Sequence, residues 1–201
     1  MSADESSPDP NDAVGWYDHH AEAVVKRHES LAPKKINTWL ESLLPSRPAL
    51  VLDVGAGSGR DAAWLVSLGH QVIAVEPSEQ MRVRGRSLHA AEKIRWINDR
   101  LPGLENVHRL GLPFDFILLN AVWMHVPPAN RRRAFPKLIT LLKPGGWMAI
   151  SFRQPDPGNP GQCSHVMSMN SSSSPGSTVR SSKGAKRRAS SYPALDLSGH
   201  A

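Results

Sequence analysis

The sequence predicts an α/β fold: an open, twisted, mostly parallel sheet with helices on both faces. Three observations predict it. Short apolar runs alternate with helical stretches between residues 14 and 153. Each run is apolar throughout rather than at every second position, the pattern of strands buried on both faces. A glycine-rich loop follows the first run and opens a helix, and open α/β sheets bind ligands at that place.

The length of 201 residues and a hydrophobic share of 40% suit one domain with a full core. Three regions are expected: a polar, disordered N-terminus at 1–13, the ligand-binding domain at 14–153, and a Ser-rich basic tail, disordered, at 154–201. No apolar run approaches the ~18 residues of a membrane-spanning helix, so no membrane partner is expected. Met1–Asp12 is acidic and polar, unlike a secretory signal. The single cysteine, Cys163, excludes an internal disulfide and a cysteine-rich zinc site, and no metal is expected. Together these predict a cytoplasmic protein. Half of the net charge of +6 falls in the tail, leaving the domain only mildly basic. Composition therefore demands no nucleic-acid partner.

Taken in order, the elements are these. Tyr17, Ala21, Val24, Val25 and His28 lie on one face of a first helix. After Pro33, Ile36, Trp39, Leu40, Leu43 and Leu44 repeat the pattern as a second helix, ended by Pro45 and Pro48. Ala49–Val54 reads as a buried strand. Ser58 is expected to cap a helix reaching Leu68, with Gly69 as its stop. Gln71–Val75 is a second strand, and Ser78 caps a helix to about Glu92. Ile94–Ile97 and Phe114–Asn120 are the third and fourth strands. Pro128–Leu142 is a helix with Phe135, Leu138, Ile139 and Leu142 on one face. Trp147–Phe152 is the fifth strand.

The segment Val51-Leu-Asp-Val-Gly-Ala-Gly-Ser-Gly-Arg60 carries the chemistry. Gly55, Gly57 and Gly59 let the backbone turn sharply and approach a ligand closely. Glu76 ends the second strand, where a carboxylate can accept hydrogen bonds from both ribose hydroxyls. A dinucleotide site of the form G-x-G-x-x-G needs a glycine where this chain has Arg60. Asp53 stands two residues before the first glycine, and a pyrophosphate at a helix N-terminus disfavours an adjacent carboxylate. A ligand bearing an ammonium and a sulfonium tolerates one.

This G-x-G-x-G spacing resembles motif I of the class I S-adenosylmethionine (SAM)-dependent methyltransferases, which have a three-layer Rossmann-like fold. Val75-Glu-Pro-Ser78, Trp96-Ile-Asn-Asp99, Phe114–His125 and Leu142-Lys-Pro-Gly-Gly-Trp147 resemble, in order, further segments of that family. The resemblance implies SAM as cofactor and assigns roles. Gly55, Ala56, Gly57 and Gly59 would border the methionine part and ribose. Asp53 would lie near the methionine amino group or order the loop. Glu76, followed by Pro77, would hold the ribose, and Met81 would pack on the adenine. Asp99 would take the adenine amino group, with Arg100 offering its backbone N–H. Asn120 would sit near the sulfonium, and Tyr17 would close over the cofactor. His125, beyond the fourth strand, is the candidate catalytic base.

Asn120 is followed by Ala-Val-Trp, a departure from the amino-methyltransferases of DNA bases, and no Pro-Cys nucleophile for cytosine C5 chemistry is present. The expected acceptor is a small molecule. The competing readings are a SAM-binding protein without turnover, a nucleotide-dependent oxidoreductase, and a nucleic-acid-binding module using the tail. Enzymes of this resemblance continue after the fifth strand with a helix and an antiparallel strand pair. Here residues 154–201 hold 12 serines and no Ile, Phe or Trp. The expectation is a truncated or frameshifted C-terminus, with the last two strands missing and the fifth strand left as an apolar edge.

Overall fold

The computed structural model describes residues 12–153 and 163–170. Helix α1 (Ala13–Glu29) precedes two single-turn helices, α2 (Pro33–Ile36) and α3 (Thr38–Glu41). Strand β1 (Leu50–Val54), α4 (Arg60–Ser67), β2 (Gln71–Val75), α5 (Glu79–Leu88) and β3 (Ile94–Ile97) form the first half of the sheet. A short helix α6 (Glu105–His108), β4 (Phe114–Asn120), a 3-10 turn (Trp123–His125), α7 (Pro128–Thr140), β5 (Leu142–Arg153) and β6 (Cys163–Asn170) follow. The strand order is β3-β2-β1-β4-β5-β6, parallel through β5. The α/β class and the open, helix-covered parallel sheet match the sequence reading.

The apolar runs divide between two cores. Leu52, Val54, Ile73, Val75, Ile117 and Leu119 face α6 and α7, packing with Val107, Trp123 and Leu138. Val51, Val72, Ala74 and Leu118 face the other side, with Leu40, Ala62 and Leu65. Strict alternation along β1 thus directs Asp53 to the α4 side. The β4–β5 register shifts between Phe114 and Phe116. Phe114 packs in one core and Phe116 in the other, as a bulge between them requires.

Four expectations are corrected. The second helix breaks into α2 and α3 because Asn37 between them is buried and bonds away from its own helix, to Asp61. Ser58 does not cap α4. Gly59 takes the N-cap position at φ 84°, and Ser58 Oγ donates instead to Glu29. Leu142 belongs to β5 rather than to α7. Lastly, β5 is not a bare edge, and the last two strands are not both missing: β6 pairs with it antiparallel from Trp147↔Asn170 to Arg153↔Cys163. Composition averaged over the tail hid an eight-residue segment that contains Val166, Met167 and Met169 and lacks Gly and Pro. The open edge of β5 supplies the backbone partners such a segment needs. The expectations for 1–11, 154–162 and 171–201 lie outside the described residues.

Candidate functional site

Three turns meet at the carboxyl ends of β1, β2 and β4. In the first, Gly55 N–H and Ala56 N–H both donate to Val75 O, at 2.7 and 2.9 Å, which folds the glycine-rich loop over the end of β2. Gly55 sits at φ 73°, and a Cβ there would lie 2.5 Å from Val122. Gly59, at φ 84°, would clash at 2.7 Å with the Trp96 ring. Both positions require glycine for conformation and for space.

Glu76 closes the second turn. Its Oε2 accepts from Gly57 N–H at 2.8 Å and its Oε1 from Ser78 N–H at 2.9 Å. Burial pushes its carboxyl up to about 7, and the two backbone donors and Arg82 only partly offset this. Arg82 donates to the carbonyls of Glu76 and Pro77, both at 2.7 Å, fixing the bend into α5. Ser78 caps α5 as expected, accepting from Met81 N–H at 3.1 Å. Met81 is fully buried, packed on Ala21 and Val25 of α1.

Asp53 is 1% exposed, and its Oδ2 has no hydrogen-bond partner among the described residues. Its carboxyl is held well above the usual range by burial, then by the charge of Asp61, while Arg60 pulls the other way. A buried orphan oxygen of this kind is costly unless a ligand group completes it. It fits a cationic group such as an ammonium, and with the glycine loop and Glu76 it makes a set that suits SAM.

Asp99 stands elsewhere in its local wiring. Oδ1 accepts from Arg100 N–H at 2.8 Å, and Oδ2 from Asn106 and Val107 N–H at 2.7 and 3.0 Å. The carboxylate therefore caps α6. The Arg100 N–H assigned to adenine is already engaged there.

At the end of β4, Asn120 spends both amide hydrogens, on Asn37 Oδ1 at 3.1 Å and Asp61 Oδ2 at 2.7 Å. Its Oδ1 accepts from Ser151 Oγ. Asp61 also accepts from Asn37 at 3.0 Å and from Arg60 at 2.9 and 3.1 Å. This network ties the start of α4 to β4 and β5. Sequence reading missed Asn37, Asp61 and Ser151 as site members, since no local pattern marks polar side chains that converge from four elements. Beyond it the chain turns at Ala121, φ 57°, whose N–H donates to Ser151 Oγ at 2.9 Å. Backbone in this left-handed region costs energy in a non-glycine residue and concentrates at functional turns. The turn presents His125.

Helix α1 lies across all three turns. Asp18 Oδ1 accepts from Ser78 Oγ at 2.6 Å and Gln80 N–H at 3.0 Å. Glu29 accepts from Ser58 Oγ at 2.6 Å, and Arg60 donates to His28 O at 3.2 Å. Tyr17 Oη lies 3.2 Å from His125 Nε2, with the rings edge to face. The structure thus brings Tyr17 and His125 together, and sets Asp53, the glycines, Glu76 and Asn120 around the carboxyl ends of the adjacent strands β1, β2 and β4. Asp99 serves the neighbouring loop.

Residues 51–146 match the family described as Methyltransferase domain. The chain is 30% identical over 135 residues to an uncharacterized methyltransferase of Mycobacterium bovis, covering 67% of this chain and 52% of that protein. It is 32% identical over 107 residues to the tRNA 5-carboxymethoxyuridine methyltransferase of Escherichia coli, covering 51% of this chain and 39% of that one. Among solved structures it resembles the 1,6-didemethyltoxoflavin-N1-methyltransferase of Burkholderia thailandensis, crystallised with 1,6-didemethyltoxoflavin and S-adenosylhomocysteine bound. The TM-score is 0.52 at 25% identity, over 84% of this chain and 72% of that chain. The chain spans about half the length, or less, of the two curated relatives.

Proposed function

We propose that this chain, whose residues 51–146 match a family of methyltransferase domains, is a class I SAM-dependent methyltransferase that transfers a methyl group from SAM to a small acceptor held against the turn after β4. The observation that carries this reading is the buried Asp53 oxygen, without a partner among the described residues, beside a glycine loop that Glu76 ties down. The cofactor when bound supplies an electrophilic methyl on a sulfonium. Asp53 would face the ammonium of the methionine part. Glu76 retains lone pairs for the ribose hydroxyls beside its two backbone donors. Asn120 has no hydrogen left to donate, so it acts by holding the β4 turn in place. His125 would accept the proton of a hydroxyl acceptor that takes the place of Tyr17 Oη at Nε2, while an amine acceptor needs little beyond alignment with the methyl.

The acceptor is the finer part of the proposal. The toxoflavin enzyme acts on a small heterocycle and the Escherichia coli relative on tRNA. The mild charge of the domain favours the small molecule. Calorimetry of the full chain with SAM, S-adenosylhomocysteine and NAD tests the cofactor. Binding of the first two and not of NAD is expected, and tight NAD binding without a SAM signal would refute the reading.

A further inference from the structure

We propose that Asp18 is a positioning residue that holds Tyr17 against His125 and so keeps the candidate base covered until an acceptor displaces the phenol. The proposal rests on the methyl-transfer reading and deepens it: an acceptor reaches His125 only when the first turns of α1 give way. Tyr17 Oη lies 3.2 Å from His125 Nε2, and the two rings meet edge to face with centroids 5.5 Å apart. In the tautomer with a lone pair at Nε2, the one a base needs, the phenol O–H donates to it. A hydroxyl acceptor needs that same lone pair. Tyr17 and the acceptor therefore compete for one atom, and the structure shows the closed side of that competition.

The helix itself places the phenol. Trp16 packs edge to face on Tyr17 at 5.2 Å and stacks on His20 at 4.3 Å. The next residue, Asp18, accepts at a single oxygen, Oδ1, from Ser78 Oγ at 2.6 Å and from Gln80 N–H at 3.0 Å. These two bonds fasten the N-terminal half of α1 to the start of α5. Ser78 N–H also donates to Glu76, so the latch is seated on the turn that carries the candidate ribose ligand. The bond from Gln80 is exposed, and water can replace it at modest cost. The cover is thus firm enough to set Tyr17 on His125 and light enough for an incoming acceptor to lift.

Ethoxycarbonylation by diethyl pyrocarbonate tests this, followed residue by residue by peptide mass spectrometry on the full chain without ligands. The reagent needs an uncovered imidazole lone pair. His19, exposed on the same helix, and His70, buried just before β2, serve as references for the reagent and for unfolding. In the parent, His125 should react about tenfold more slowly than His19. Tyr17→Phe, which removes one oxygen and keeps the ring, should raise the His125 rate about fivefold, the weight of one hydrogen bond. Asp18→Ala should raise it at least as much. Asp18→Asn, whose amide oxygen still accepts both bonds, should stay within about twofold of the parent. His19 and His70 should not change. Where Asp18→Ala also accelerates His70, that variant has lost its fold, and Gln80→Pro decides in its place. Proline is tolerated in a helix's first turn and removes one of the two donors, so the His125 rate should rise about threefold. A parent His125 as reactive as His19 overturns the proposal. So does a parental rate in Tyr17→Phe or in the deciding latch variant, and so does a rise in Asp18→Asn equal to that in Asp18→Ala. Failure of the parent to bind S-adenosylhomocysteine would instead bring down the methyl-transfer reading, and it leaves these reactivities as they are, so the two failures are told apart.

Discussion

Glu76 illustrates how burial and hydrogen bonding set a side chain's task. Its carboxyl, at about 7, lies above the ordinary carboxylate range. In the ligand-free chain the stability it contributes is therefore full below that range and is lost as pH rises through about 7. Ribose hydroxyls donate to the ionised form, so affinity runs the opposite way. Calorimetry across pH should find S-adenosylhomocysteine binding strengthening as pH rises through about 7, and Glu76→Gln should flatten that profile. Glu76→Ala should weaken binding by about 1.5–3 kcal/mol, the range for hydrogen bonds to a charged group. Asp53 gives a second residue-scale outcome. Burial and the neighbouring Asp61 raise its carboxyl in the free chain, and an ammonium facing it would pull it back down. Binding should release a proton, visible as a dependence of the binding heat on the buffer's ionisation enthalpy. The dependence should vanish in Asp53→Asn.

At the scale of elements, the glycine loop and α1 divide two kinds of work. Gly59→Ala places a Cβ 2.7 Å from Trp96 in a left-handed backbone. It should lower stability by about 1–3 kcal/mol in a denaturant melt. Gly57 meets nothing closer than 3.5 Å but sits at φ 57°, so Gly57→Val strains a left-handed backbone and should cost stability as well as cofactor binding. The junction of α4 with β4 and β5 depends on Asp61, which takes bonds from Asn37, Asn120 and Arg60. Asp61→Ala leaves a buried amide, a half-buried amide and a guanidinium without their acceptor. A loss of about 3 kcal/mol is expected. A melt indistinguishable from the parent would mean the network is not needed to hold the β4 turn.

For the whole molecule, β6 decides whether the sheet ends in an open parallel strand. With Cys163–Asn170 paired on β5, the amides of β5 and the β5-facing amides of β6 should resist hydrogen exchange. Removing residues 154–201 should bare the β5 edge and drive the chain toward aggregates in size-exclusion chromatography with light scattering. Exchange at the unprotected rate over 163–170, or a monomeric deletion variant, would argue that β5 needs no cover.

The sequence alone determined the parallel sheet, the limits of β2, β3 and β4, the glycine loop and the acidic end of β2. All of these arise from local patterns: continuous apolar runs, turn chemistry, and short motifs whose spacing carries geometry. What only the tertiary structure decided involves partners far apart in the chain. Asn37 breaks its helix because Asp61, distant in sequence, accepts its amide. Asp99 is occupied by the amides of Asn106 and Val107. Tyr17 and His125 meet across 108 residues. The pairing of β6 likewise reflects the unfilled edge of β5 more than any strong strand signal of its own. Hydrogen-bond demand is satisfied by whichever group folding brings near, and that neighbour leaves no trace in the local sequence.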